Sequence, residues 1–196
     1  MQAITLLTGI AVPLDLVNVD TDQIIPGRFL ALPRSEQVSG MFRDLRQDES
    51  GAPRPDLPLN RREYHGASIL VANENFGCGS SRETAVTVMV DNGIRAVIAP
   101  SFGDIFYNNC FQNGVLPIRL PRELVTALRS RLVEQPGSKV SIDLFKQVVT
   151  TLDGAAIPFE IDGFRKECLI HGTDTLGMAL ALESKIAAYE SRNTES

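Results

Sequence analysis

Cysteine and histidine are scarce in this chain, and so is positive charge. Only three cysteines occur, Cys78, Cys110 and Cys168, far apart and with no C-x-x-C pair. That spacing excludes a zinc ribbon and a complete iron–sulfur ligand set. An odd count without a signal peptide fits reduced thiols, and Cys110 and Cys168 read as small buried hydrophobes. Two histidines, His65 and His171, leave little material for a hydrolase triad. With a net charge of −5 there is no broad basic face, which argues against nucleic acid as the main partner. No apolar run approaches the length of a bilayer span. The segment 1–12 lacks a basic flank and a small-residue cleavage site, so no signal peptide is expected and the expected location is cytoplasmic.

What is present is ordinary for a globular protein: 196 residues, 43% hydrophobic and 22% charged. One domain over 1–196 is expected. One stretch stands out, Asn73-Glu74-Asn75-Phe76-Gly77-Cys78-Gly79-Ser80-Ser81-Arg82-Glu83. It lies between a strand-like run, Ala67–Ala72, and a helix-like run, Thr84–Asp91. Open N–H groups and a positive dipole at such a helix start favour an anion. Ser80 and Glu83 have capping-box spacing, and Arg82 offers a bidentate fork to carboxylate or phosphate. Cys78, beside that helix end, is placed for a stabilised thiolate. The stretch matches neither a G-x-S-x-G elbow, nor a P-loop, nor a G-x-G-x-x-G dinucleotide turn. A serine hydroxyl flanked by donors and a cation remains as a candidate base.

From Ala67 to Leu120 the pattern reads βαβαβ. Strands are expected at Ala67–Ala72, Arg95–Ala99 and Val115–Leu120. Helices are expected at Thr84–Asp91, stopped by Asn92-Gly93, and from Ser101 as N-cap to about Gln112. Short apolar strands separated by helices imply a parallel sheet buried on both faces. Ligands bind such sheets beyond the strand C-termini, where Gly77–Arg82 falls. A helix follows from Pro121 to Gln135. Two strands, Lys139–Thr150 and Ala155–Ile161, are expected around the Asp153-Gly154 turn. Helices at Phe164–His171 and Thr173–Glu190 close the chain, with 191–196 frayed. Upstream, Asn18–Phe29 is an Asx-rich loop in which Asp20 or Asp22 can orient a base and Arg28 can face an anion. Residues 30–60 form the least regular part, with one short helix at Gln37–Arg46, and are expected to be a mobile recognition segment.

Three ordered motifs carry a resemblance: Asn-Val-Asp-Thr-Asp-Gln-Ile-Ile-Pro from Asn18, Asn-Phe-Gly-Cys-Gly-Ser-Ser-Arg-Glu from Asn75, and Ala-Pro-Ser-Phe-Gly-Asp-Ile-Phe-Tyr-Asn-Asn from Ala99. With the tail motifs Ile161–Lys166 and Ile186–Tyr189, the chain resembles the small subunits of 3-isopropylmalate dehydratase, the separately encoded swivel domain of the aconitase superfamily. The resemblance implies an α/β fold, a swivelling β/β/α domain with a mainly parallel central sheet flanked by helices. It also implies a large partner subunit holding a [4Fe–4S] cluster, with no cofactor on this chain, and a small dicarboxylate substrate. By motif, Ser80 resembles the base that removes a proton next to a carboxylate, and Asp22 a residue that supports it. Ser81, Arg82 and Gly79, with Arg28, are the expected substrate contacts.

Two stretches depart from the family pattern. After Ser-Ser-Arg-Glu the family usually continues His-Ala-Pro-Trp-Ala-Leu, where this chain has Thr84-Ala85-Val86-Thr87-Val88-Met89. A basic loop often follows the first motif, where this chain has Leu30-Ala31-Leu32-Pro33-Arg34-Ser35-Glu36. Both changes leave Ser80 and Arg82 in place but touch the segment expected to read the substrate side group. Alternatives are therefore a related hydro-lyase subunit for another alkylmalate of methylmalate, dimethylmalate or homoaconitate type, and a non-catalytic regulatory paralogue.

Overall fold

The computed structural model describes residues 1–181. In chain order its elements are β1 (Leu6–Pro13), α1 (Thr21–Ile24), α2 (Arg34–Gln37), α3 (Arg43–Arg46), β2 (Ile69–Val71), α4 (Thr84–Asp91), β3 (Ala96–Ala99), α5 (Asp104–Gln112), β4 (Leu116–Arg119), α6 (Arg122–Glu134), β5 (Lys139–Asp143), β6 (Val148–Thr150), β7 (Ala156–Pro158), α7 (Gly163–His171) and α8 (Thr175–Ala181). Four short 3-10 turns add to these, three of them between Val38 and Tyr64.

All strands join one seven-stranded sheet in the order β4-β3-β2-β1-β5-β6-β7. β1 is the hinge of its topology. Its C-terminal half, Ala11–Pro13, pairs parallel with β2, and its N-terminal half, Leu6–Ile10, pairs antiparallel with β5. The parallel half comprises β1 to β4, of which β2-α4-β3-α5-β4 is the βαβαβ expected from the apolar runs, and the antiparallel half is a meander of β5, β6 and β7. In the parallel half both faces are buried. Leu70 and Val97 face one core with Phe76, Val86, Met89 and Phe106, while Ile69, Val71 and Ile98 face the other with Val125, Leu128 and Leu132 of α6. That is why these strands read as unbroken apolar runs rather than alternating ones.

Several boundaries differ from expectation, each for a local reason. The stretch 139–150 is two strands, because the Asp143 carboxylate accepts the Lys146 N–H at 2.9 Å and Gln147 turns left-handed at φ 55°. Ser101 does not cap α5. Its hydroxyl accepts the Asn75 N–H at 2.9 Å, its carbonyl accepts the Phe76 N–H, and the helix begins only at Asp104 after Gly103. The single helix expected over 37–46 is split between α2 and α3 by Phe42, left-handed at φ 53° with its ring fully buried 6.4 Å from that of Phe76. Elsewhere in 30–60, Arg34 pairs with Asp91 and Asn60 donates to the carbonyls of Arg46 and Arg54. The expected helix 173–190 is described only over Thr175–Ala181. The 186–189 motif and the 191–196 tail lie outside the described residues.

Candidate active site

The three motifs interlace at the C-terminal ends of the parallel strands. Gly77 donates its N–H to the Val19 carbonyl at 2.7 Å, and Thr21 donates its own to the Cys78 carbonyl at 3.0 Å. Gly103 donates to the Phe76 carbonyl at 2.9 Å. Isolated bridges Asp20–Cys78 and Phe76–Phe102 extend the sheet pattern through the loop. Such close backbone approach explains the glycines. A Cβ on Gly103 would stand 2.5 Å from the Gly77 carbonyl oxygen, and one on Gly77, itself at φ +72°, would strike the Phe106 ring. Gly79, at φ +92°, passes just over Asp20 and Thr21.

Ser80 is brought to Thr21. Their hydroxyl oxygens are 2.9 Å apart, Ser80 is exposed, and Thr21 is 1% exposed. The capping box expected of Ser80 and Glu83 does not form: Glu83 itself is the N-cap of α4 and no side chain caps the helix. The Glu83 carboxylate instead accepts the Asn113 side-chain amide at 3.0 Å. Ser80 is thus free of capping duty. The backbone N–H groups of Gly79 through Glu83 have no acceptor among the described residues. A run of open donors is what an alkoxide or a bound carboxylate requires. Ser81, adjacent, is exposed.

Arg82 leans back on the first motif. Its Nη1 donates to the Asp22 carboxylate at 2.5 Å and to the Ile25 carbonyl at 3.1 Å. Among the described residues its Nη2 and Nε have no partner, so one edge of the fork remains for a ligand carboxylate. Asp22, expected to support Ser80, is therefore the partner of Arg82, and the contact to Ser80 comes from Thr21, one residue earlier. The reason is helical geometry. Asp20 caps α1 in a reciprocal box with Gln23, at 2.7 and 3.0 Å, which turns the buried Thr21 and the exposed Asp22 in different directions. A Thr in the Asx-rich loop carried no signal of its own; the cap at Asp20 was the available clue. Arg28, expected at the substrate, is engaged in a bidentate pair with Asp44 of α3 and lies 5.1 Å over the Phe29 ring.

Cys78 corrects another expectation. Burial, and next the Asp20 carboxylate, push its thiol above the ordinary value, so the site does not favour a thiolate. Cys110 is fully buried and Cys168 nearly so. Among the described residues no grouping of three or more His, Cys, Asp or Glu could hold a metal ion. The donors among the described residues do not fit an iron–sulfur cluster, and the hydroxyls and guanidinium of the loop are groups suited to proton transfer and carboxylate binding.

The fold and this loop define a class that comparison makes explicit. The family model for the aconitase C-terminal domain matches residues 1–123, and the LeuD_N model matches 126–163. The 3-isopropylmalate dehydratase small subunit of Rhodospirillum centenum is 50% identical over 98% of this chain and 95% of its own length. That of Paramagnetospirillum magneticum is 50% identical over 100% and 98%. A solved structure of 3-isopropylmalate dehydratase from Methanocaldococcus jannaschii superposes with a TM-score of 0.68 at 32% identity, covering 92% of this chain and 99% of that one. The chain belongs to the family of 3-isopropylmalate dehydratase small subunits, within the aconitase C-terminal-domain class.

Proposed function

We infer that this chain is the small subunit of a hydro-lyase that interconverts 2-isopropylmalate and 3-isopropylmalate, by dehydration and rehydration, in leucine biosynthesis. It works with a larger partner chain. The observation that carries the reading is the Ser80–Thr21 contact beside the open edge of Arg82. These contacts support reading Ser80 as a base and Arg82 as a carboxylate clamp.

In this reading the Ser80 alkoxide takes the proton from the carbon α to a substrate carboxylate, and hydroxide leaves the adjacent carbon. Return of water with the opposite regiochemistry completes the isomerisation. Arg82, helped by Ser81 and by the open N–H groups around Gly79, holds the carboxylate and spreads the charge that grows on it. Thr21 donates to the alkoxide, and Asp22 fixes the plane of the Arg82 fork. The [4Fe–4S] cluster implied by the family belongs to the larger chain, where it supplies Lewis-acid chemistry at the leaving hydroxyl. Arg28 reaches a ligand only by releasing Asp44. The partly exposed Leu30 and Leu32, which leave the first motif directly, suit an alkyl side group better than a charged one.

The test is an anaerobic dehydration assay of the chain with and without its large partner, across several 2-alkylmalates. Isopropylmalate turnover by the pair is expected, and none by the small chain alone. Turnover by the small chain alone, or a preference for another alkylmalate, overturns the assignment.

A further inference from the structure

Helix α6 packs across the face of the parallel sheet and buries Val125, Leu128 and Leu132. It also buries an arginine. Arg129 is 6% exposed, and its Nε is buried without a partner. Its Nη1 donates to the Ala72 carbonyl at 2.9 Å and its Nη2 pairs with Asp15 at 2.8 Å. The Asp15 side chain is 73% exposed and so partly screened. As a stabilising device this is poor. Desolvating a guanidinium is costly, and an apolar side chain of similar length would pack the same site at no such cost. The contacts suggest a different role. Ala72 is the first residue after β2, where the Ser80 loop begins, and Asp15 also accepts the side-chain amide of the next residue, Asn73, at 2.7 Å. Two helical turns earlier on the same face of α6, Arg122 pairs with the residue after that, Glu74. Two arginines of one helix thus reach three consecutive residues at the root of the loop, one of them through Asp15.

We propose that Arg129 and Arg122 form a bracket that sets the root of the Ser80 loop, which makes Arg129 a positioning residue for proton transfer at Ser80. The kinetic part rests on the reading of Ser80 as the base. The fork of Arg129 holds a carbonyl and a carboxylate at fixed separation, which neither lysine nor an apolar residue can do. The loop beyond Glu74 carries Cys78 as well as Ser80, so its looseness has a chemical reporter that needs no substrate.

The experiment is pulsed alkylation with N-ethylmaleimide, read by mass spectrometry at each cysteine, on the full chain bearing Arg129→Met and on its complex with the large partner. Cys78 should react at least about fivefold faster while Cys110 and Cys168 keep wild-type rates, because opening one segment exposes only its own groups. In the complex, kcat should fall at least about tenfold with KM within about twofold, the pattern of a misplaced base rather than lost binding. An unchanged Cys78 rate overturns the proposal. So does equal acceleration of all three cysteines, which would make Arg129 a general staple. Should Arg129→Met not fold, Arg122→Gln, at a partly exposed pair, must accelerate Cys78 by itself, and failure to do so sinks the bracket. Because alkylation is independent of turnover, an active Ser80→Ala enzyme would remove the base assignment while leaving the bracket standing.

Discussion

A serine alkoxide can only accept hydrogen bonds, so in the ionised form of Ser80 the proton in the 2.9 Å contact comes from Thr21. Hydrogen bonds to a charged group contribute about 1.5–3 kcal/mol. Thr21→Val, which keeps the branched shape, should therefore lower kcat roughly ten- to a hundredfold and move the ascending limb of its pH profile upward. An unchanged profile would separate Thr21 from the base. Arg82→Lys keeps the charge but loses the fork, and it should raise KM at least about tenfold in steady-state assays. The position of Ser80 and Arg82 at a strand–helix junction was legible in the sequence because the glycine turn and the flanking apolar runs are local signals. Their partners were not. Which of Thr21 and Asp22 meets Ser80 depends on the cap at Asp20, a contact among neighbouring residues that motif order does not encode.

Among the elements, the parallel strands and α4 were legible because both sheet faces are covered and the Asn-Gly stops are local signals. Asn92-Gly93 and Asn113-Gly114 do end their helices, with both glycines left-handed. The misread elements are those decided by tertiary contact. Ser101 serves the Asn75 and Phe76 amides rather than a helix, and Phe42 breaks a helix to bury its ring. The crossing of the second and third motifs leaves no space at Gly103. Gly103→Ala should destabilise the chain by about 1–3 kcal/mol, as overpacking against backbone does, and denaturant unfolding measures it. A wild-type midpoint would mean that the loops separate without cost.

For the molecule as a whole, α6 ties the parallel half to the antiparallel meander through Arg131, which pairs with Asp153 in the β6–β7 turn. The Thr151 hydroxyl, then Arg131, lower the Asp153 carboxyl to about 2. A depressed carboxyl contributes stability that is fully present above its unfolded value, about 3.9, and that fades as pH falls through about 2. The Tm difference between wild type and Asp153→Asn should therefore be constant from neutral pH down to about 4 and then shrink toward pH 2. A gap that persists at the acid end would assign the effect to something other than the charge. At this scale the sequence resemblance reached further than periodicity. Strand order on the antiparallel side and the double pairing of β1 follow from long-range register, which alternating apolar residues do not specify.

If the loop between β2 and α4 supplies the base from its serine, Ser80→Ala in the chain assembled with its larger partner removes that base. The hydroxyl is exposed and caps no helix, so its loss should leave folding and assembly intact while turnover drops at least about a thousandfold, the loss of a proton-transfer group. A folded, assembled Ser80→Ala enzyme turning over near the wild-type rate would mean that Ser80 is not the base.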